Sequence, residues 1–181
     1  MESFFKKPAY VFIGSIVLAL LILFTTLFHE YKTSADINND EQLKDFIAQN
    51  IPLSLNKVIA KKIVSDKVYI LYEFSSPEQK PGMIVLKKKT LLKNRYGFFL
   101  NSWSSDDYNK AIYKSPDFSL VVYYGLKGKD ASYYKVKYKG QEKKIFIDKD
   151  YILDVYANDE NLFSDYCARV FNDKDESICI F

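Results

Sequence analysis

The sequence predicts an α+β protein: an N-terminal transmembrane helix, then a mainly antiparallel β-sheet domain with one or two short helices. Three observations predict it. Residues 9–28 (AYVFIGSIVLALLILFTTLF) form one uncharged apolar run. The rest of the chain alternates short Val-, Ile- and Tyr-rich segments with turn residues, without long helices between them. And 15 Tyr and 14 Phe in 181 residues supply enough aromatic surface to bury a core, which excludes disorder.

The apolar run comes first. Twenty residues make a helix of roughly 30 Å, the thickness of a hydrocarbon core. The mean hydropathy of −0.19 reflects dilution of this run by a polar remainder. Lys6 and Lys7 precede it, whereas His29, Glu30, Tyr31 and Lys32 after it nearly balance. The positive-inside rule therefore puts residues 1–8 in the cytoplasm, the anchor at 9–29, and the domain outside. The run is longer than a signal-peptide core, and the residues that follow it are bulky; Thr33-Ser34-Ala35 is a distant cleavage site at best. An uncleaved anchor is expected, so the protein is a single-pass membrane protein with an extracytoplasmic domain.

Residues 30–39 are polar and read as a tether, with the domain spanning 40–181. Asn39 with Gln42 resembles a capping box, and Leu43, Phe46 and Ile47 give the i, i+3, i+4 stripe of a short amphipathic helix ended at 50–52 (NIP). Strands are expected at 57–64 and 67–74, split by a Ser65-Asp66 hairpin turn, then at 83–88, 96–103, 119–124, 131–139 and 144–147. In the second strand Val68, Ile70 and Tyr72 point one way, Tyr69, Leu71 and Glu73 the other. Leu162, Phe163, Tyr166, Cys167, Val170 and Phe171 fit a short helix, and 177–181 a closing strand.

The chemistry-bearing residues are sparse. The single His, His29, sits at the membrane edge, so a His-based triad cannot form in the domain. The sequence carries no GxSxG, P-loop, GxGxxG or HExxH motif. Asp106 and Asp107 are the carboxylate pair to test for a hydrolase, yet they sit in turn-like sequence where Asp is ordinary. Asp148, Asp150 and Asp154 offer spaced oxygens, but the glycine and closing glutamate of a calcium loop are missing. No cofactor or metal is assigned.

Cys167 and Cys179 are the only cysteines. Their gap does not suit CxxC redox or zinc chemistry, and outside the membrane a disulfide between them is expected. It would stabilise the C-terminal segment by roughly 3 kcal/mol. Charge is uneven: residues 57–95 carry ten Lys/Arg against three acids, residues 148–181 nine acids against three bases. Lys61, Lys62, Lys87, Lys88, Lys89, Lys93 and Arg95 form a candidate basic face for anionic headgroups or wall polymers. The alternative is that basic strands and turns suppress sheet aggregation and pair with the acidic tail. The total charge of +3 and the topology argue against nucleic acid.

The runs VYILYEF, GMIVLKKK, RYGFFLNSW and SLVVYYG resemble uncharacterised membrane-anchored extracytoplasmic β-domain proteins of low-GC Gram-positive bacteria, over residues 55–150. The chain lacks the lipid-accepting cysteine of the lipoprotein members. The resemblance implies a location and a fold type, and no reaction. The function expected is a non-catalytic binding or accessory domain of the cell envelope, its partner an envelope protein or an anionic wall polymer besides the bilayer itself. An immunity-type membrane protein and an extracytoplasmic carboxylate-dependent hydrolase are the alternatives.

Overall fold

The computed structural model describes residues 6–51, 54–75, 80–103, 106–115, 118–138, 141–157 and 168–180. Among these residues an apolar helix leads, and antiparallel sheets with one further short helix follow, as the sequence predicts. Helix α1 runs over Lys6–Lys32 and α2 over Asp40–Asn50. The strands are β1 (Ala35–Asp36), β2 (Leu55–Val64), β3 (Lys67–Phe74), β4 (Gly82–Lys88), β5 (Arg95–Trp103) and β6 (Tyr108–Ser115). They continue with β7 (Phe118–Leu126), β8 (Tyr133–Tyr138), β9 (Gln141–Phe146), β10 (Tyr151–Ala157), β11 (Ala168–Phe171) and β12 (Ser177–Ile180).

Helix α1 stands out from the domain. Its stretch Val11–Lys32 is long and apolar enough to cross a membrane, and none of its most apolar window is buried. Residues 30–39 do not form the expected tether. The helix continues to Lys32, Ser34, Ala35 and Ile37 are buried, and Ala35 and Asp36 pair with Tyr96 and Arg95 of β5. Burial of Ala35 and Ile37 against the sheet outweighs the polarity that suggests a free linker.

Helix α2 forms as its sequence requires. Asn39 accepts a hydrogen bond from the Gln42 amide at 3.0 Å, Leu43, Phe46 and Ile47 are buried, and the helix stops at Ile51. The β2–β3 hairpin turns on Ser65 and Asp66, with Ser65 at φ 57°.

Three antiparallel sheets stack behind α2. Sheet A has the order β1-β5-β4-β3-β2, sheet B β10-β7-β6, and sheet C β12-β11-β8-β9. Three cores separate the four layers. The first, between α2 and sheet A, holds Val68, Ile70, Tyr72, Ile84 and Leu86. The second, between sheets A and B, holds Tyr69, Leu71, Met83, Val85, Leu120, Val122 and Tyr124. The third, between sheets B and C, holds Val121, Tyr123, Tyr134, Val136, Ile152 and Val170. The two faces of β3 thus divide as the alternation predicts, but both are buried. A strand buried on both faces reads as a continuous apolar run, the pattern of VYIL in β3 and LVVYY in β7.

Among the described residues there are twelve strands, against the seven expected and the closing one, with β6, β10 and β11 the main additions. The helix expected over 162–171 is not formed at its C-terminal end: Ala168–Phe171 is strand β11, paired with Val136 to Tyr133 of β8. Ala168 and Val170 alternate into the third core, which a strand achieves and a helix stripe would not. Residues 158–167 lie outside the described residues. The closing strand is present as β12.

Candidate functional site

Two places concentrate polar chemistry. The first is the end of sheet A where α1 leaves the domain. The last carbonyls of a helix have no partner within it, and a cation suits that end. Arg95, opening β5, supplies both needs. Its guanidinium donates to the Tyr31 carbonyl at 2.9 Å and the Ser34 carbonyl at 2.5 Å, and its Nε to Ser34 Oγ at 3.0 Å. It also lies over the Tyr31 ring, 4.0 Å from the centroid. Ser34 Oγ in turn donates to the Glu30 carbonyl. Lys89 Nζ lies 3.2 Å from Thr33 Oγ1, and the Leu91 amide donates to Glu30 Oε2 at 3.1 Å. Gly97 permits this close passage, because a β-carbon there would stand 2.6 Å from Lys89 Cε and 3.1 Å from the Thr33 carbonyl oxygen.

The second place is a groove of about 300 Å³ where the three sheets meet. Lys62 of β2, Asp154 of β10 and Tyr134 of β8 converge on it. Lys62 Nζ is 3.1 Å from Asp154 Oδ1 and 3.1 Å from the Leu153 carbonyl; Tyr134 donates its hydroxyl to Asp154 Oδ2. Burial, then the Asp154 carboxylate, pushes the Tyr134 phenol far above its usual range. Tyr134 is held as a neutral donor, and Asp154 is left as an acceptor joining three sheets. Phe146, largely exposed, and Lys149, 5.5 Å from the Tyr151 ring, border the same groove. Around the corner Tyr133 stacks on Phe171 at 5.1 Å, with Lys144 3.6 Å above its ring, and gives its hydroxyl to Asp175.

The residues of the candidate basic face are not brought onto one surface. Lys61 and Lys62 are consecutive in β2 and point to opposite faces. Lys61 turns to the α2 side, 2.5 Å from Asp40 and 2.9 Å from the Ile37 carbonyl, and Lys62 turns to β10. Lys87, Lys88, Lys89, Lys93 and Arg95 do gather, at the α1 end of sheet A. There Lys87 is 4.0 Å from Asp66, whose carboxyl is held below its usual value chiefly by a hydrogen bond from Lys67.

Asp106 and Asp107 are exposed before β6, where Asp107 pairs with Lys80 at 2.7 Å. Asp148 borders the groove with Asp154, and the Asp150 carbonyl accepts a hydrogen bond from the Lys127 amide at 2.9 Å. Among the described residues no group of three or more His, Cys, Asp or Glu is placed to hold a metal ion. Cys167 lies outside the described residues, as does the Cys179 side chain; only the Cys179 backbone, opposite Val170, is defined.

Tyr134 and Ser34 escaped the sequence reading as functional positions. Their partners lie 20 and 61 residues away, and no local spacing announces them. No protein-family model, curated protein or solved structure matches the chain.

Proposed function

We propose that this is a single-pass membrane protein with a cytoplasmic N-terminus, presenting a three-sheet domain outside the membrane. There it acts by binding, as a non-catalytic accessory component of the cell envelope. The observation that carries the reading is the way α1 ends. An apolar helix with no buried face is joined to sheet A through Arg95, Ser34 and Glu30. Cleavage at Thr33-Ser34-Ala35 would cut through that junction and split β1, the strand that pairs with β5, between Ala35 and Asp36. A removable leader has no reason to be built into the fold it leaves behind.

The binding reading rests on the groove of Lys62, Tyr134 and Asp154, a concave polar surface bordered by Phe146 and Lys149. The carboxylates with the best sequence claim to catalysis, Asp106 and Asp107, sit on an exposed turn instead, one of them ion-paired. Protease added to intact protoplasts is the test. Loss of the domain with survival of a short membrane stub supports the topology. A protected domain overturns the orientation, and mature protein in the medium beginning near residue 36 overturns the anchor.

A further inference from the structure

The loop joining β4 to β5, residues 89–94 (KTLLKN), lies beside the end of α1. Its Leu91 amide is bonded to Glu30, two residues beyond the end of the apolar run at Phe28. The loop is therefore fixed at the depth where the helix passes from apolar to polar sequence. Leu91 is 46% exposed. On either side Lys88 and Lys93 are exposed, and neither ammonium has an ion-pair partner among the described residues. The chain carries no acid between Glu78 and Asp106. Asn94, at φ 60°, turns the chain back into β5, where Arg95 locks it to Tyr31 and Ser34.

An exposed leucine between unpaired lysines, held level with the end of an apolar helix, matches the chemistry of a bilayer interface. The apolar tip is favoured in the headgroup–acyl boundary, and the ammonium groups are favoured by anionic headgroups. We infer that residues 88–93 seat the domain on the surface of an anionic bilayer, as a second contact beside the helix. This rests on the reading of α1 as a membrane span. The rigid junction at Arg95 then sets the tilt of sheet A, and the far end of β5, at Trp103, is carried roughly 25 Å away by a nine-residue strand.

Trp103 is the only tryptophan, which makes it the natural distal reference. The full-length protein is reconstituted into vesicles of phosphatidylcholine alone or with phosphatidylglycerol, each containing bromine-labelled chains. Two variants carry their tryptophan elsewhere: Leu91→Trp with Trp103→Phe, and Phe24→Trp with Trp103→Phe. The inference expects bromine to quench tryptophan at 91 several-fold more than Trp103, the more so with phosphatidylglycerol. Adding Lys88→Glu and Lys93→Glu should return quenching at 91 to the Trp103 level. Quenching at 24 but not at 91 overturns the seat and leaves the span standing. Quenching at neither overturns the span and the seat with it. Quenching at 91 that ignores both the anionic lipid and the charge reversal also overturns the inference, because the lysines then play no part.

Discussion

The ring of Tyr72 lies across Gly82, its register partner on β4, so closely that a β-carbon on Gly82 would stand 2.5 Å from Tyr72 Cζ. Tyr72 is fully buried and packed edge-on against Phe74 at 5.1 Å, so it has no room to yield. Gly82→Ala should therefore destabilise the domain by about 1–3 kcal/mol. Urea unfolding in detergent measures it. In a double-mutant cycle with Tyr72→Leu the cost of the alanine should largely disappear; full additivity would refute the contact.

The hydroxyls of Tyr69 and Tyr72 are buried without a hydrogen-bond partner among the described residues. A buried unsatisfied group costs about 1–3 kcal/mol, so removing it should not weaken the fold. Tyr69→Phe and Tyr72→Phe are expected to leave the unfolding midpoint unchanged or raise it. A clear fall in either would mean that the hydroxyl has an acceptor.

The same burial sets an alkaline limit. Desolvation raises the phenols of Tyr69, to about 12, and of Tyr72, Tyr124 and Tyr134. In the unfolded chain each titrates near 10, so above that pH the unfolded state binds fewer protons than the native one. The stability contributed is complete below pH 10 and is lost as pH rises through the folded values, by up to about 1.4 kcal/mol per pH unit for each group. Urea midpoints should fall steeply between about pH 10 and 12, and Tyr69→Phe should flatten the slope. Midpoints independent of pH over that window would contradict it.

Asp154 serves two donors of unequal burial: Tyr134 within the third core and Lys62 at the half-exposed rim. Loss of Lys62 should be mild, at most about 1 kcal/mol for Lys62→Met, as for other exposed ion pairs. Asp154→Ala removes the acceptor to which the buried Tyr134 hydroxyl donates and should cost about 1–3 kcal/mol. The order of the two, read by denaturant unfolding, is the test; a larger loss at Lys62 would reverse the assignment.

Arg95 donates to two carbonyls and a hydroxyl of one short segment, a geometry a lysine cannot reproduce. Arg95→Lys should leave the sheets folded but expose residues 32–36 to limited proteolysis several-fold faster. Unchanged cleavage kinetics there would show that the junction holds without the fork.

How much of this was legible in the sequence depends on the range over which each signal acts. Asn39, Gln42, Leu43, Phe46 and Ile47 define α2 within nine residues, and the hairpin at Ser65 and Asp66 is equally local. Strand β10 (YILDVYA) carries no polar–apolar alternation, because Ile152 and Leu153 enter cores on opposite faces and its one charge, Asp154, stands mid-strand. Strand β6 (YNKAIYKS) mixes polar residues into both faces, as an edge of sheet B permits. Which strands pair is not written locally at all: β8 joins β11 across sheets that the chain leaves and re-enters. The candidate site suffers most, since Lys62 and Asp154 are 92 residues apart and meet only after three sheets have stacked.

The stacking order has a consequence for how the chain is assembled. The face of sheet A that carries Tyr69, Leu71, Met83 and Val85 is closed by Leu120, Val122, Tyr124 and Leu153. A nascent chain delivered from its N-terminus can complete sheet A and cover one side with α2 while this opposite side still faces water. On the proposed topology that half-built intermediate is already moored to the bilayer, with an oily wall displayed until roughly fifty further residues arrive to cap it. Stop codons and frameshifts before residue 118 would then yield more than a shortened protein: a membrane-tethered fragment with a sticky side, fit for quality-control proteases.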